Sequence, residues 1–394
     1  MNKPLRILVI LNFPWDPCLG AARVYIELAE HWRAQGHTVK KFCLTDAFPN
    51  RANGRAISAL RPILFPKRAA RYIRRNASRF DVIDALIGMV PFSKKHLRFD
   101  GLLVARSVGL PRAYERFNRF SRKLWRAERR GKAIGRLFYG LISQILYRNC
   151  ERALGCCDLV NLLNADEIRF LQNPPPIHAP FVVQPNGLSD KERTTLARAI
   201  PSPEIRLDGK EICFIGMWGL RKGARDWPEI IRRIRNQTGE ARFKFLGTMT
   251  DEEIVLRDLQ LSRADGVSCV ATFNREQLAS HLSPCAVGLF PSYIEGFGLA
   301  VLEQLACGIP TVAYDVPGPR QILHSLRTLL LVPEGDKIAM AERAVEILRF
   351  NPHDYQSLSA RCQSIAAQFR WEKIAADTAE QYRAALEKTA NVHE

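Results

Sequence analysis

The chain has 394 residues, and at roughly 150 residues per domain it should fold as two or three domains, each able to bury a core. With 47% apolar and 25% charged residues it has ordinary globular composition, which excludes disordered and collagen-like classes. The formal charge of +18 is local, because residues 51–150 hold 24 basic and 5 acidic side chains while residues 201–394 hold 23 and 25; a uniformly basic coat is excluded.

Met1 to Arg6 lead into an apolar run of only five residues, Ile7 to Leu11, too short for a signal peptide and read as a first, buried parallel strand ended by Asn12-Phe13-Pro14. A loop with Gly20 follows. Val24, Leu28, Ala29 and Trp32 then recur at helical spacing up to Gly36, and Val39 to Leu44 reads as the next strand, completing a βαβ unit with a right-handed crossover. Short apolar runs at Val82-Ile83, Leu102 to Ala105, Leu159 to Leu163 and Phe181 to Val183 extend the same sheet. Pro185-Asn186-Gly187 is a turn, and the polar stretch onward to Gly209, broken by Pro201 and Pro203, reads as an interdomain linker.

The same grammar restarts with a strand at Ile212 to Ile215 ending at Gly216, a helix near Trp227 to Arg235 and a strand at Phe243 to Leu246. Strands at Val267 to Ala271, Val287 to Phe290 and Thr311 to Tyr314 alternate with helices around Arg275 to Leu282 and Leu299 to Cys307; from His353 on, the pattern is helical only. The expected division is 1–190, 205–368 and a terminal helical segment 369–394. Ten Cys are scattered without a C-x-x-C pair, so neither a zinc cage nor a redox dithiol is encoded, and reduced thiols fit a cytoplasmic protein. Leu137 to Tyr147 falls short of the ~20 apolar residues that a spanning helix needs.

One stretch carries most of the chemistry: Pro291-Ser292-Tyr293-Ile294-Glu295-Gly296-Phe297-Gly298-Leu299-Ala300-Val301-Leu302-Glu303, running on through Gly308 to Val312. It follows a buried strand and opens a helix. Gly296 and Gly298 let backbone approach a ligand, and the amides of Gly298 and Leu299 at the helix start suit an anion such as a diphosphate. Glu295 in the loop and Glu303 one turn or so into the helix can face one crevice and accept sugar hydroxyls. The bare spacing is weak, since any charged helix produces it; the strand, glycine loop and helix start give it weight.

On those residues the segment resembles the E-x-x-x-x-x-x-x-E signature of GT-B glycosyltransferases, the large family 4 of retaining enzymes. The likeness extends over nearly the whole chain: Gly20, Gly36-His37-x-Val39, Asp158 before Asn161 to Asn164, Pro185-Asn186-Gly187, Lys222-Gly223 after Gly216, and Phe369-Arg370-Trp371 opening the last helix. It implies an α/β GT-B architecture of two Rossmann-like domains with parallel sheets facing across a cleft, and a C-terminal helix crossing back to the N-terminal domain. It also implies a nucleotide-sugar donor on the C-terminal domain, an acceptor on the N-terminal one, and no metal or other cofactor. By the same resemblance Glu295 and Lys222 are catalytic, Glu295 holding the donor sugar and Lys222 the diphosphate. Gly216, Arg221, Gly296, Phe297, Gly298, Leu299 and Glu303 complete the donor site, with Glu303 on the ribose, while Asp16, Gly20, Arg106 and Ser107 are the acceptor candidates.

Three positions depart from the family pattern. Met217 follows Gly216 where Arg is usual, with Arg221 as the substitute guanidinium, and Gln321 stands where Glu is common. Val108 occupies the place of a frequent His, which leaves three readings: a replacement contact from Ser107 or Arg106, a different catalytic arrangement, or weak activity. His37 reads as a structural contact in a helix-ending turn, and His96, His281 and His324 lack partner spacing for a triad.

Lys67, Arg68, Arg71, Arg74, Arg75 and Arg79, followed by eight Arg and two Lys between Arg112 and Arg136, form the basic window. Phe117, Phe120, Leu124 and Ala127 interleave at helical spacing, the pattern of a basic amphipathic helix on anionic lipid, with a helix packed on the sheet as its rival. Nucleic acid is disfavoured, since no recognised module accompanies the charge. The expectation is a glycosyltransferase acting on a lipid-linked or polysaccharide acceptor in cell-envelope glycan synthesis. It would be cytoplasmic and peripheral at the inner face of the cytoplasmic membrane, bound through residues 61–136. The alternatives are a nucleotide-sugar isomerase and a catalytically silent membrane- or polymer-binding protein.

Overall fold

Each half of the chain builds its own parallel sheet, whose central strands are short, largely apolar runs buried on both faces. The computed structural model describes residues 3–50, 55–124, 133–172, 177 and 179–391. It divides into two units, Met1–Asn186 with Trp371–Glu394, and Gly187–Arg370.

In the first unit β1 (Arg6–Ile10), β2 (Thr38–Phe42), β3 (Val82–Leu86), β4 (Leu102–Arg106), β5 (Leu159–Leu162) and β6 (Phe181–Val183) pair in the order β2-β1-β3-β4-β5-β6, all parallel. Every residue of β3 and β4 is buried, as a central parallel strand requires. The chain leaves β1 in one direction for β2 and then builds β3 to β6 in the other. The carboxyl ends of β1 and β3 therefore flank the switch point, where open α/β sheets take ligands. The last helix, Trp371–Asn391, belongs to this unit: Trp32 Nε1, on the helix Gly20–Ala34 after β1, donates to the Ala375 carbonyl at 3.0 Å, and the rings of Trp32 and Tyr382 lie 6.0 Å apart.

The second unit repeats the plan with β7 (Glu211–Ile215), β8 (Arg242–Leu246), β9 (Val267–Val270), β10 (Cys285–Phe290), β11 (Thr311–Tyr314) and β12 (Leu331–Val332) in the parallel order β12-β11-β10-β7-β8-β9. Its switch point lies between β7 and β10. The two-residue β12 carries too little pattern to be seen in the sequence.

The stretch expected as a linker is instead structured and part of the second unit. Ser189 caps a helix, Asp190–Arg198, in a reciprocal box with Glu192, and Pro203 starts another, Pro203–Gly209. Arg206 on that second helix is fully buried and donates to the carbonyls of Ser283 (3.0 Å), Cys307 (2.9 Å) and Gly308 (3.3 Å), satisfying the end of the helix Leu299–Ala306. Two prolines in a polar stretch punctuated helices rather than replacing them. Among the described residues no helix is long and apolar enough to cross a membrane.

Candidate active site

At the second switch point β7 ends in Gly216, where a Cβ would press on the Phe214 ring at 3.0 Å, so the chain turns tightly over the strand end. The turn Leu220–Lys222 closes on Gly223, whose φ of +78° is left-handed and whose missing Cβ leaves room for Pro291. This contact holds the loops after β7 and β10 together. Tyr293 N–H donates to the Arg221 carbonyl at 3.0 Å, and the Arg221 guanidinium reaches the Ile294 carbonyl at 3.4 Å.

Between those loops Lys222 Nζ bonds Glu295 Oε2 and stands 4.5 Å from the Phe290 ring centroid. Arg221 Nη1 lies 3.8 Å from the same carboxylate oxygen. Burial pushes the Lys222 ammonium below its ordinary pKa; Glu295 opposes that shift, and Arg221 adds to it. Two cations thus converge on one carboxylate at the sheet's carboxyl edge.

Gly298, at φ +97°, starts the helix Leu299–Ala306 and supplies no capping side chain, so the first-turn amides take no bond from their own N-cap residue. Glu295 Cγ is 3.5 Å from where a Gly298 Cβ would sit, which places carboxylate and helix start side by side. Phe297, expected in the donor site, turns its ring into the unit, where it is 2% exposed and packs edge-on to Phe369 at 5.5 Å. The packed ring anchors the loop. Glu303 is only 3% exposed, and its Oε1 takes Arg275 Nη1 at 2.6 Å. Arg275 comes from a short turn between β9 and β10 and also bonds Glu192 at 2.9 Å, which the sequence alone did not reveal.

The first unit treats the acceptor candidates unequally. Asp16 is half-buried in the loop after β1, where its Oδ1 accepts from Cys18 N–H at 2.9 Å, and Gly20 is exposed with open space around it. Both lie by the switch point. Arg106 does not serve a ligand: it is 2% exposed, bonds both oxygens of Asp84 at 2.8 to 3.1 Å, and reaches Tyr382 Oη at 2.7 Å. Ser107 is also buried, its Oγ donating to Glu167 at 3.0 Å and accepting from Gly109 N–H at 3.0 Å. Val108 packs against the unit's core. The expectation that Arg106 or Ser107 replaces an absent His is corrected, because burial commits both to the interior. Met217 is 52% exposed beside Gly216, and Gln321 Oε1 is buried without a partner among the described residues.

Of the basic window, Lys67, Arg68, Arg71, Arg74, Arg75 and Arg79 are exposed along the helix Arg55–Asn76 and the turn after it, while Phe65, Ala69, Ala70 and Ile73 bury the opposite face. Arg112 does not belong to a surface patch: it is 8% exposed and bonds Glu151. Phe120 is 41% exposed on the helix Pro111–Leu124, and the residues of the window from 125 to 132 lie outside the described residues.

Comparison with known proteins fits the geometry. Residues 209–349 match the family described as glycosyl transferases group 1. That match lies wholly within the second unit. Lys222, Glu295 and Glu303 all fall inside that match. Two relatives are D-inositol 3-phosphate glycosyltransferases. That of Arthrobacter is 36% identical over 120 residues, 30% of this chain and 28% of the relative; that of Xylanimonas cellulosilytica is 27% identical over 237 residues, 59% and 55%. The chain thus spans little more than half the length of the relatives it matches, or less. Over the whole chain, the sucrose-phosphate synthase of Thermosynechococcus elongatus superposes with a TM-score of 0.71 at 20% identity, covering 96% and 98% of the two chains. Anabaena HepE in complex with UDP and glucose superposes at 0.66 and 15%, covering 96% and 100%. The architecture is therefore GT-B.

Proposed function

We propose that this protein transfers a glycosyl group from a nucleotide-sugar, bound by the second unit, to an acceptor met by the first unit, with retention of anomeric configuration. The observation that carries the reading is the Lys222–Glu295 pair at the β7/β10 switch point, beside the helix start at Gly298. A diphosphate would draw Lys222, Arg221 and the first-turn amides, and the donor sugar's hydroxyls would draw Glu295. Charge on the leaving diphosphate is then neutralised by side chains and helix, with no metal assigned a part.

In the transfer the bond from the anomeric carbon to the diphosphate oxygen breaks and a bond to the acceptor oxygen forms on the same face. The acceptor's proton passes to the departing diphosphate, so no side-chain base is assigned. Lys222 acts where negative charge grows, a position in which loss of one donor typically costs about 10²–10³ in rate.

The acceptor is proposed to be lipid-linked or a polysaccharide, reached at an anionic membrane face in cell-envelope glycan synthesis. Support comes from the exposed basic stripe of the helix Arg55–Asn76, which carries no acidic residue and also exposes Leu60 (39%) and Leu64 (45%). The deciding experiment is a thermal-shift panel of nucleotide-sugars, in which ligand at 100 times its Kd adds about 2.7 kcal/mol, followed by product analysis with radiolabelled donor. Label that moves to an acceptor supports the transferase. Label that stays on the nucleotide as a rearranged sugar replaces it with an isomerase, and absence of any turnover indicates a silent binding protein.

A further inference from the structure

Glu303 is a carboxylate in the interior of the second unit, and an unpaired charge there is costly. Its countercharge is Arg275, joined at 2.6 Å through Nη1. The other terminal nitrogen of Arg275, Nη2, holds Glu192 Oε1 at 2.9 Å. Glu192 is itself fixed, because its Oε2 accepts from the Ser189 backbone N–H at 3.1 Å and the Ser189 hydroxyl at 3.2 Å. The guanidinium is therefore stretched between two carboxylates that sit on different helices, Asp190–Arg198 and Leu299–Ala306. Desolvation opposes its charge and the two carboxylates outweigh it, so the fork stays cationic.

We infer that Arg275 is a positioning residue for nucleotide recognition: anchored by Glu192, it fixes the rotamer of Glu303 so that this carboxylate can accept hydrogen bonds from the ribose of the donor nucleotide. The inference rests on the reading of Glu303 as the ribose acceptor. The geometry adds a reason for a buried carboxylate at this point. A flexible glutamate would pay ordering entropy each time a ligand bound, whereas one held by a planar fork is set in advance. Two fixed partners are what distinguish this Arg from a single ion pair, since rotation about its own χ angles is constrained from both ends.

The test separates ribose recognition from general damage. UDP, GDP and ADP and their 2′-deoxy counterparts are titrated by calorimetry into the full chain, and the ratio of deoxy to ribo Kd is read for the tightest nucleotide. The wild type should favour the ribo form by roughly tenfold or more, as loss of a charge-assisted hydrogen bond implies. Glu303→Gln should bring the ratio near one. Arg275→Gln should do the same, Arg275→Lys should restore part of it, and Glu192→Gln should lower it by a smaller factor. A structural defect alone would weaken ribo and deoxy forms together and leave the ratio unchanged, which would overturn the inference. If Glu303→Gln collapses the ratio but Arg275→Gln and Glu192→Gln do not, the inference fails while the ribose reading stands. If Glu303→Gln leaves the ratio intact, or no nucleotide binds, the ribose reading fails and the inference with it. Should Arg275→Gln not fold, the Arg275→Lys and Glu192→Gln ratios decide.

Discussion

Lys222 and Glu295 bond to each other across 73 positions of sequence, one side chain from the turn after β7 and the other from the loop after β10. The sheet order makes those two loops neighbours, because β7 and β10 are paired although two strands intervene in the chain. Each group is the other's nearest opposite charge in a partly buried site. A ligand that offers phosphate oxygens and hydroxyls together can replace both partners at once, so neither charge is left desolvated and alone.

Substituting the lysine tests that exchange. Lys222→Ala should lower the rate of nucleoside diphosphate release about 10²–10³-fold. Lys222→Arg, which keeps the charge, should lose less. An initial-rate assay at saturating donor checks both, and unchanged turnover in Lys222→Ala would remove this residue from the reaction.

Gly223 makes a structural prediction about the same site. A methyl group there would meet the Pro291 carbonyl on a left-handed backbone. The clash is with main chain and cannot be relieved by a rotamer change, so Gly223→Ala should cost about 1–3 kcal/mol from strain alone. It should also spread the two loops that bring Lys222 to Glu295. Chemical denaturation reads the first effect and nucleotide affinity the second; Gly219→Ala, where nothing lies within 4 Å, serves as the control.

Much of this site was legible because it is local. Glu295, the two glycines and the helix start occupy one continuous segment whose strand, loop and helix periods are visible in the residues themselves. The central strands were equally plain, since buried parallel strands are short apolar runs, whereas the two-residue β12 was not. Arg275 was hidden, for it reaches Glu303 only through the packing of a turn onto a helix, and no spacing encodes that. Arg106 was misread for the converse reason: from sequence a charged residue at a strand end suggests a site, yet Asp84, 22 positions away, was placed to neutralise it. The helix Asp190–Arg198 opens on Ser189 and Glu192 three residues apart, a capping pattern that goes unnoticed beside the prolines that follow it.

The Asp84–Arg106–Tyr382 cluster should behave as a buried ion pair that is costly to break and cheap to replace whole. Asp84 is fully buried and Arg106 nearly so, and Tyr382 on the last helix completes the network. Arg106→Met alone should destabilise the first unit by about 3–5 kcal/mol, because it strands a carboxylate. Arg106→Met with Asp84→Leu should recover most of that loss. Urea unfolding of the single and double variants measures the coupling, and additive losses would refute it.

The exposed basic stripe makes a salt-dependent prediction. Replacing Lys67, Arg71, Arg74 and Arg75 with Gln removes four charges that each contribute about 1 kcal/mol near an anionic surface, so partition onto phosphatidylserine-containing vesicles should fall about a thousandfold. Binding by the native chain should weaken steeply as ionic strength rises, since the Debye length shrinks to about 3 Å at 1 M. Sedimentation with anionic and with neutral vesicles is the measurement. Equal binding to both by the native chain would show that charge is not what brings it to a membrane. Arg61 and Arg68 are left intact because both stand over the Phe48 ring, at 5.2 and 4.2 Å, and serve the fold.

Glu167 gives the pH prediction. Burial pushes its carboxyl up to about 7, against donated hydrogen bonds from Leu163 N–H, Ser107 Oγ and Leu110 N–H that hold it down. In the unfolded chain the group titrates near the ordinary 4.5. Between about 4.5 and 7 the folded protein therefore holds a proton that the unfolded chain has released, and stability falls as pH rises through that window. The contribution is fully present below about 4.5 and is lost above about 7, amounting to about 3 kcal/mol from the gap between the two pKa values. Urea unfolding of the first unit at pH 5 and at pH 7.5 should show this decline. Glu167→Gln, which does not titrate, should flatten it, although its amide can accept through only one oxygen where the carboxylate uses two, and so lowers stability at both pH values. If the native decline persists undiminished in Glu167→Gln, another group is responsible and the carboxyl ionises as freely in the fold as in the open chain.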